Sequence, residues 1–213
     1  MKKAKYYRRY VFKLCDTKLF NGRNIVLGVS GGIAAYKAVE VVSRLKKLGA
    51  EVDVIMTGNA MKFVAPHTFG TISRRPVTTG MFNENFQWDV KHISLARKAD
   101  IIVVVPATAN IIGKIANGIA DDMLSTTIMA AKCNTIFVPA MNTKMYTNAI
   151  VQKNIKTLKE NGYLLMDPSE GILACGEMGT GRAPEPVEVV EKIKKEIFKG
   201  NDFKGLNILI TAG

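Results

Sequence analysis

The chain has 213 residues, 47% of them hydrophobic, and a formal charge of +12, enough for one domain with a buried core and at most the start of another. No run of about 18 apolar residues exists to cross a membrane, and the basic start MKKAKYYRRYVFKLCDTKLF has neither the apolar stretch nor the small-residue cleavage site of a secretory signal. Three scattered cysteines (Cys15, Cys133, Cys175), no C-x-x-C and only two histidines (His67, His92) speak against a disulfide framework or a metal site and for a reducing, cytoplasmic setting.

In chain order, residues 1–22 read as a basic arm. Lys2, Lys3, Lys5, Arg8, Arg9, Lys13 and Lys18 stand there against Asp16 alone. The arm reads as a solvated tail or as a surface that attracts phosphate groups. The rest of the chain is only mildly basic, which suits an anionic small molecule better than a nucleic acid. NIVLGV (24–29) is a β-branched run of the kind that forms a buried parallel strand. The next segment carries Ile33, Tyr36, Val39, Val42 and Leu45 at helical spacing and is closed by Gly49. EVDVIMT (51–57) completes a β-α-β unit, so a parallel sheet with a right-handed crossover is expected.

Residues 58–90 read as a polar, turn-rich excursion, with His67 in a surface loop. HISLARKA then predicts a short helix and DIIVVVPA (100–107) the strongest strand. TANIIGKIANGIADDMLSTTIMAA predicts one or two helices, NTIFVPAMN (134–142) another strand, YTNAIVQKNIKTLKENG a helix ended by Gly162, and YLLM (163–166) a short strand. LACGEMGTGRAPEP (173–186), dense in glycine and proline, predicts neither helix nor strand. PVEVVEKIKKEIFKG predicts an amphipathic helix with Val187, Val190, Ile193 and Ile197 on its apolar face. KGNDFKG reads as a linker, and LNILITAG as the first strand of a further α/β unit, the alternative being an edge strand that finishes the first domain. The expected division is therefore an arm (1–22), one α/β domain (23–198), and a linker with the opening strand of a truncated domain (199–213). The fold class is α/β, an open doubly wound parallel sheet of Rossmann-like form.

In such sheets ligands bind beyond the carboxyl ends of the strands. That rule selects VSGGIAAYK, MTGNA, VPATAN and VPAMN. In the first, Ser30, Gly31 and Gly32 let a ligand approach the backbone, and the following helix N-terminus offers N–H groups to a phosphate. The loop is neither G-x-G-x-x-G nor a Walker A motif. Thr57 stands where nicotinamide-binding domains carry an acid for the ribose, so a mononucleotide fits better. Thr108 and Asn110 open a helix, as plain caps or as a second anchoring point. Asn142 can donate two hydrogen bonds to a carboxylate or a ring carbonyl, or serve as a turn former. His92 reads as a structural or surface histidine when taken alone. Cys175, in its glycine-rich setting, is an unusual place for a buried thiol.

Taken together, SGGIAAYK, PATANIIGKIANGIADDML, PAMN and ACGEMGTGR resemble the homo-oligomeric flavin-containing cysteine decarboxylases over about residues 24–200, most closely their phosphopantothenoylcysteine decarboxylase domains. The resemblance implies FMN as cofactor, held by Ser30, Gly31, Gly32, Thr57, Thr108 and Asn110, and 4'-phospho-N-pantothenoylcysteine as substrate, decarboxylated to 4'-phosphopantetheine. It implies His92 for proton handling during thiol oxidation, Asn142 for the substrate carboxylate, and Cys175, on a mobile flap, as proton donor to the ene-thiol. Arg182 either fixes the flap or is a surface residue. The resemblance further implies a homotrimer, possibly a dodecamer, and a fused ligase domain beginning at LNILITAG. A flavin prenyltransferase, a peptidyl-cysteine decarboxylase and a non-enzymatic regulatory relative are the alternatives of the same fold.

Overall fold

A computed structural model describes residues 18–81, 90–172, 176 and 178–199. Residues 1–17, Cys175 and the whole of 200–213 lie outside the described residues, and with them most of the expected arm and linker and the final strand; the end of the arm is not a solvated tail, because Phe20 is buried in the core and stacks on Phe198. In chain order the elements are β1 (Asn24–Val29), α1 (Ala35–Lys47), β2 (Glu51–Met56), a 3-10 turn (Ala60–Lys62), α2 (Pro66–Ser73), α3 (Lys91–Lys98), β3 (Ile101–Ala107), α4 (Ala109–Ala116), α5 (Met123–Ala130), β4 (Thr135–Pro139), the single turn α6 (Thr143–Tyr146), α7 (Ala149–Glu160), β5 (Leu164–Leu165), β6 (Ser169–Ile172), β7 (Met178–Arg182) and α8 (Pro186–Ile197).

Strands β1–β5 form one parallel sheet in the order β2-β1-β3-β4-β5. The sheet is covered on both faces, which is why its strands are nearly continuous apolar runs. Every residue of β3 is buried. Ile101, Val103 and Val105 pack with α1 and α8, while Ile102, Val104 and Ala107 pack with α4, α5 and α7. Full burial of each of these valine and isoleucine side chains stabilises by about 1.5–3 kcal/mol relative to exposure. Gly28, on β1, is small because α5 crosses there: a Cβ at that position would collide with the Leu124 side chain. The expected open α/β sheet is therefore the one observed.

Several local expectations differ. Ile33 and Tyr36 are each 59% exposed, and α1 buries Ala38, Val41, Val42 and Leu45 instead. Its first turn lies at the end of the sheet, where apolar side chains line a cleft rather than the core. On α8, Val187 is exposed and Val189 takes its place beside Val190 and Ile193. The excursion after β2 contains the helix α2, begun by Pro66 at its first position, so His67 sits on an exposed helical face rather than in a loop. The segment expected to be irregular after residue 173 contributes a strand: β7 pairs antiparallel with β6 as a separate two-stranded ribbon. Among the described residues, no helix is long and apolar enough to cross a membrane.

Candidate active site

The strand order reverses direction between β1 and β3, so the loops after them diverge and open a crevice. A cleft of about 730 Å³ lies there, within the roughly 300–1,000 Å³ of small-molecule sites. The loops after β1, β2, β3 and β4 line it together with the end of β7. Ser30, Gly31, Gly32, Thr57, Thr108, Asn110 and Asn142 are all brought to this one cleft. Two helices of eight or more residues, α1 and α4, begin at it with no side-chain cap on their first N–H groups.

The serine and glycines hold the wall together. Ser30, 2% exposed, donates its Oγ–H to the Pro106 carbonyl at 2.7 Å and accepts from the Thr108 N–H at 3.1 Å. Its Oγ also lies 3.1 Å from Thr108 Oγ1. This hydroxyl fastens the end of β1 to the loop after β3. A Cβ on Gly31 would collide with Asn59 of the β2 loop, and one on Gly32 would come within 3.3 Å of the Thr108 methyl. Both glycines thus let three loops of the protein meet, a tighter requirement than approach of a ligand. Thr57 Oγ1 accepts from the Ala60 N–H at 3.3 Å and begins the 3-10 turn, while Asn110 is exposed on the first turn of α4.

Asn142 caps α6, its Oδ1 accepting from the Lys144 N–H at 2.8 Å. The turn-forming role and the place in the cleft coexist in the same residue. Strand β7 lies against this loop backbone to backbone. The Met141 N–H donates to the Gly181 carbonyl at 3.0 Å, and a Cβ on Gly181 or Gly179 would strike Met141 O or Thr143 Oγ1. Thr143 Oγ1 is buried with no hydrogen-bond partner among the described residues.

Sequence reasoning missed a second group. Ile33, Tyr36 and Met145 are about half-exposed apolar side chains lining the cleft, a surface against which a flat ring can lie. Lys114 donates to Asp121 at 2.6 Å and to Asp122 at 2.8 Å. Burial alone pushes the Asp122 carboxyl up, but the Lys114 ammonium and the Ser125 amide outweigh it and hold the group below its ordinary value. Lys37, 5% exposed, donates to Ala183 O at 2.8 Å and to Glu185 Oε1 at 3.0 Å. Glu185 Oε1 also accepts from Arg182 at 2.9 Å. The bond from Lys37, with the charges of Lys37 and Arg182, holds the Glu185 carboxyl below its ordinary value. A lysine facing the core side of its helix was the available signal for this cluster.

His92 is on α3, half-buried and not among the residues lining the cleft. Cys175 lies outside the described residues, between β6 and β7. Among the described residues no group of three or more His, Cys, Asp or Glu side chains could hold a metal ion.

A flavoprotein family model matches residues 16–198. The chain is 48% identical over 197 residues to the coenzyme A biosynthesis bifunctional protein CoaBC of Bacillus subtilis (strain 168), covering 92% of this chain and 48% of that protein. It thus spans about half the length of the curated relatives it matches. Among solved structures, the FMN-dependent cysteine decarboxylase SpaF is similar with a TM-score of 0.74 at 28% identity, covering 84% of this chain and 97% of that one. A PPC decarboxylase variant complexed with pantothenoylaminoethenethiol is similar with a TM-score of 0.72 at 29% identity, covering 81% and 96%.

Proposed function

The chain belongs to the flavoprotein family, and from that premise we propose that it binds FMN and decarboxylates 4'-phospho-N-pantothenoylcysteine to 4'-phosphopantetheine, a step of coenzyme A biosynthesis. The observation that carries this reading is the single cleft at the strand ends that gathers the Ser30–Thr108 wall, Asn110 and Asn142. The cleft fits the cofactor. Two uncapped helix N-termini can take a phosphate, Thr57 and Asn110 offer hydrogen bonds to a hydroxylated chain, and Ile33, Tyr36 and Met145 offer apolar contact to a ring. The chemistry supplied by FMN when bound is reversible hydride transfer with the carbon bearing sulfur, so that CO2 leaves from a thioaldehyde whose C=S takes up the electron pair.

The chain's own residues position the substrate and move protons. The Asn142 side chain has its plane set by the bond from Lys144, and its N–H2 is the half of the amide that can serve a carboxylate. It holds the leaving carboxylate toward the cleft. His92 takes the thiol proton as the carbon is oxidised. His92 does not line the cleft of its own chain, and the reading has it supplied by a second copy in a homo-oligomer such as a closed trimer. Cys175 returns a proton to carbon or sulfur after CO2 has left.

The deciding experiment supplies 4'-phospho-N-pantothenoylcysteine to the purified yellow protein and measures CO2 and 4'-phosphopantetheine. The expected result is equimolar formation of both with no external oxidant. A protein that cannot be loaded with FMN, or that releases no CO2 when loaded, overturns the reading.

A further inference from the structure

Arg182 ends β7 at the rim of the cleft. Its guanidinium is held from two sides. Glu185 Oε1 accepts from Nη2 at 2.9 Å, and the side chain lies across Gly171 of the paired strand, where a Cβ would come within 3.3 Å of Nη1. Glu185 is in turn fixed by Lys37, whose buried ammonium also bonds the Ala183 carbonyl. Two cations therefore share one carboxylate. The only acid among the lining residues, Asp122, is taken up by Lys114 and Ser125. Lys37 is surrounded by its oxygen acceptors. Arg182, with its side chain 44% exposed, has more N–H donors than Glu185 takes up, on a planar group of the kind that suits carboxylate or phosphate.

We propose that Arg182 is a substrate-binding residue that seats an oxyanion of the substrate at the rim of the cleft, oriented by Glu185 and Lys37. The proposal rests on the decarboxylase reading for its ligand, which carries two oxyanions, a phosphate and a carboxylate. The rim position favours the phosphate, at the end of the substrate remote from the reacting carbon.

The test uses FMN-loaded full-length protein, Arg182→Gln and Arg182→Lys, with binding measured by calorimetry for two probes. One is 4'-phosphopantetheine, which has the phosphate and no carboxylate; the other is N-pantothenoylcysteine, which has the carboxylate and no phosphate. Loss of a charge-assisted bidentate contact predicts about tenfold weaker binding of the phosphate probe to Arg182→Gln, with a smaller loss for Arg182→Lys, which keeps the charge and loses the fork. The carboxylate probe and the flavin content stay unchanged. A loss falling on the carboxylate probe keeps the seat and changes which oxyanion fills it. Unchanged binding of both probes overturns the proposal. Wild-type protein that releases no CO2 overturns the decarboxylase reading alone, because the two binding measurements need no turnover.

Discussion

The two walls of the cleft are built by opposite means. The wall after β1, β2 and β3 is an extension of the core: Ser30 is buried, three loops interlock through Gly31 and Gly32, and the residues beneath are the most deeply buried of the sheet. The wall formed by β6 and β7 is a two-stranded ribbon outside the main sheet. It is fixed at its root by Met141–Gly181 and by Lys37, and it becomes exposed along its length, to 77% at Met178. A wall that shares the core's stability is suited to a resident cofactor. A ribbon held at one end can open at a fraction of the global unfolding free energy, and so suits a part that must admit substrate and release product.

That contrast predicts different outcomes for two glycine substitutions. Gly31→Ala forces a methyl into Asn59, partly against its backbone. Overpacking of this kind costs about 3 kcal/mol, the upper end of its range, so both the melting temperature and the retained flavin should drop. Gly181→Ala places a methyl against the Met141 carbonyl at a φ of 147°, so it should lift the ribbon from its loop. Turnover is then expected to fall at least tenfold while the melting transition stays close to wild type. If both variants lose melting temperature equally, the ribbon is part of the core's cooperative unit and the distinction between the walls is wrong.

Ser30→Ala sharpens the same contrast within the rigid wall. It leaves the Pro106 carbonyl and the Thr108 N–H without their buried partner, at a cost of about 2 kcal/mol. Chemical denaturation should show that loss. Flavin titration should show weakened affinity, because the start of α4 is no longer fixed and a hydroxyl lining the cleft is gone. Unchanged flavin affinity in a destabilised protein would mean that the seat does not depend on the Ser30–Thr108 strut.

The sequence made the sheet plain because a strand covered on both faces has few alternatives to a β-branched run, and β3 is the extreme case. It misassigned Ile33 and Tyr36 because helical periodicity registers apolar spacing without saying whether core or cleft receives it. The ribbon escaped notice because its pairing is backbone to backbone among glycines, which carry no side-chain alternation. The four loops that form the cleft followed from the strand-end rule, and Asn142 was read both as a turn former and as a hydrogen-bond donor to a carboxylate or ring carbonyl. What holds the loops was invisible: Ser30 finds partners 76 and 78 positions away, and Lys37 finds its partners 146 to 148 positions away. Such pairings are set by the topology, and no local pattern announces them.

The smallest expected effect concerns the far rim of the rigid wall. Asp122 accepts from the Ser125 N–H at 2.8 Å as the N-cap of α5 and from Lys114 at 2.8 Å. Its folded pKa lies below its ordinary value of 3.8, so its stabilising contribution is fully present above about that pH and is lost as pH falls through the folded value. Asp122→Asn should therefore cost about 1 kcal/mol at pH 7, the usual loss for a weakened cap and ion pair. The gap to wild type should close as pH falls below 3.8. Parallel urea titrations across that range measure it. A gap that persists unchanged into strong acid would assign the loss to altered packing of the cap rather than to the carboxylate's charge. Lys114 would then contribute to this rim through its contacts and not through its pairing with Asp122.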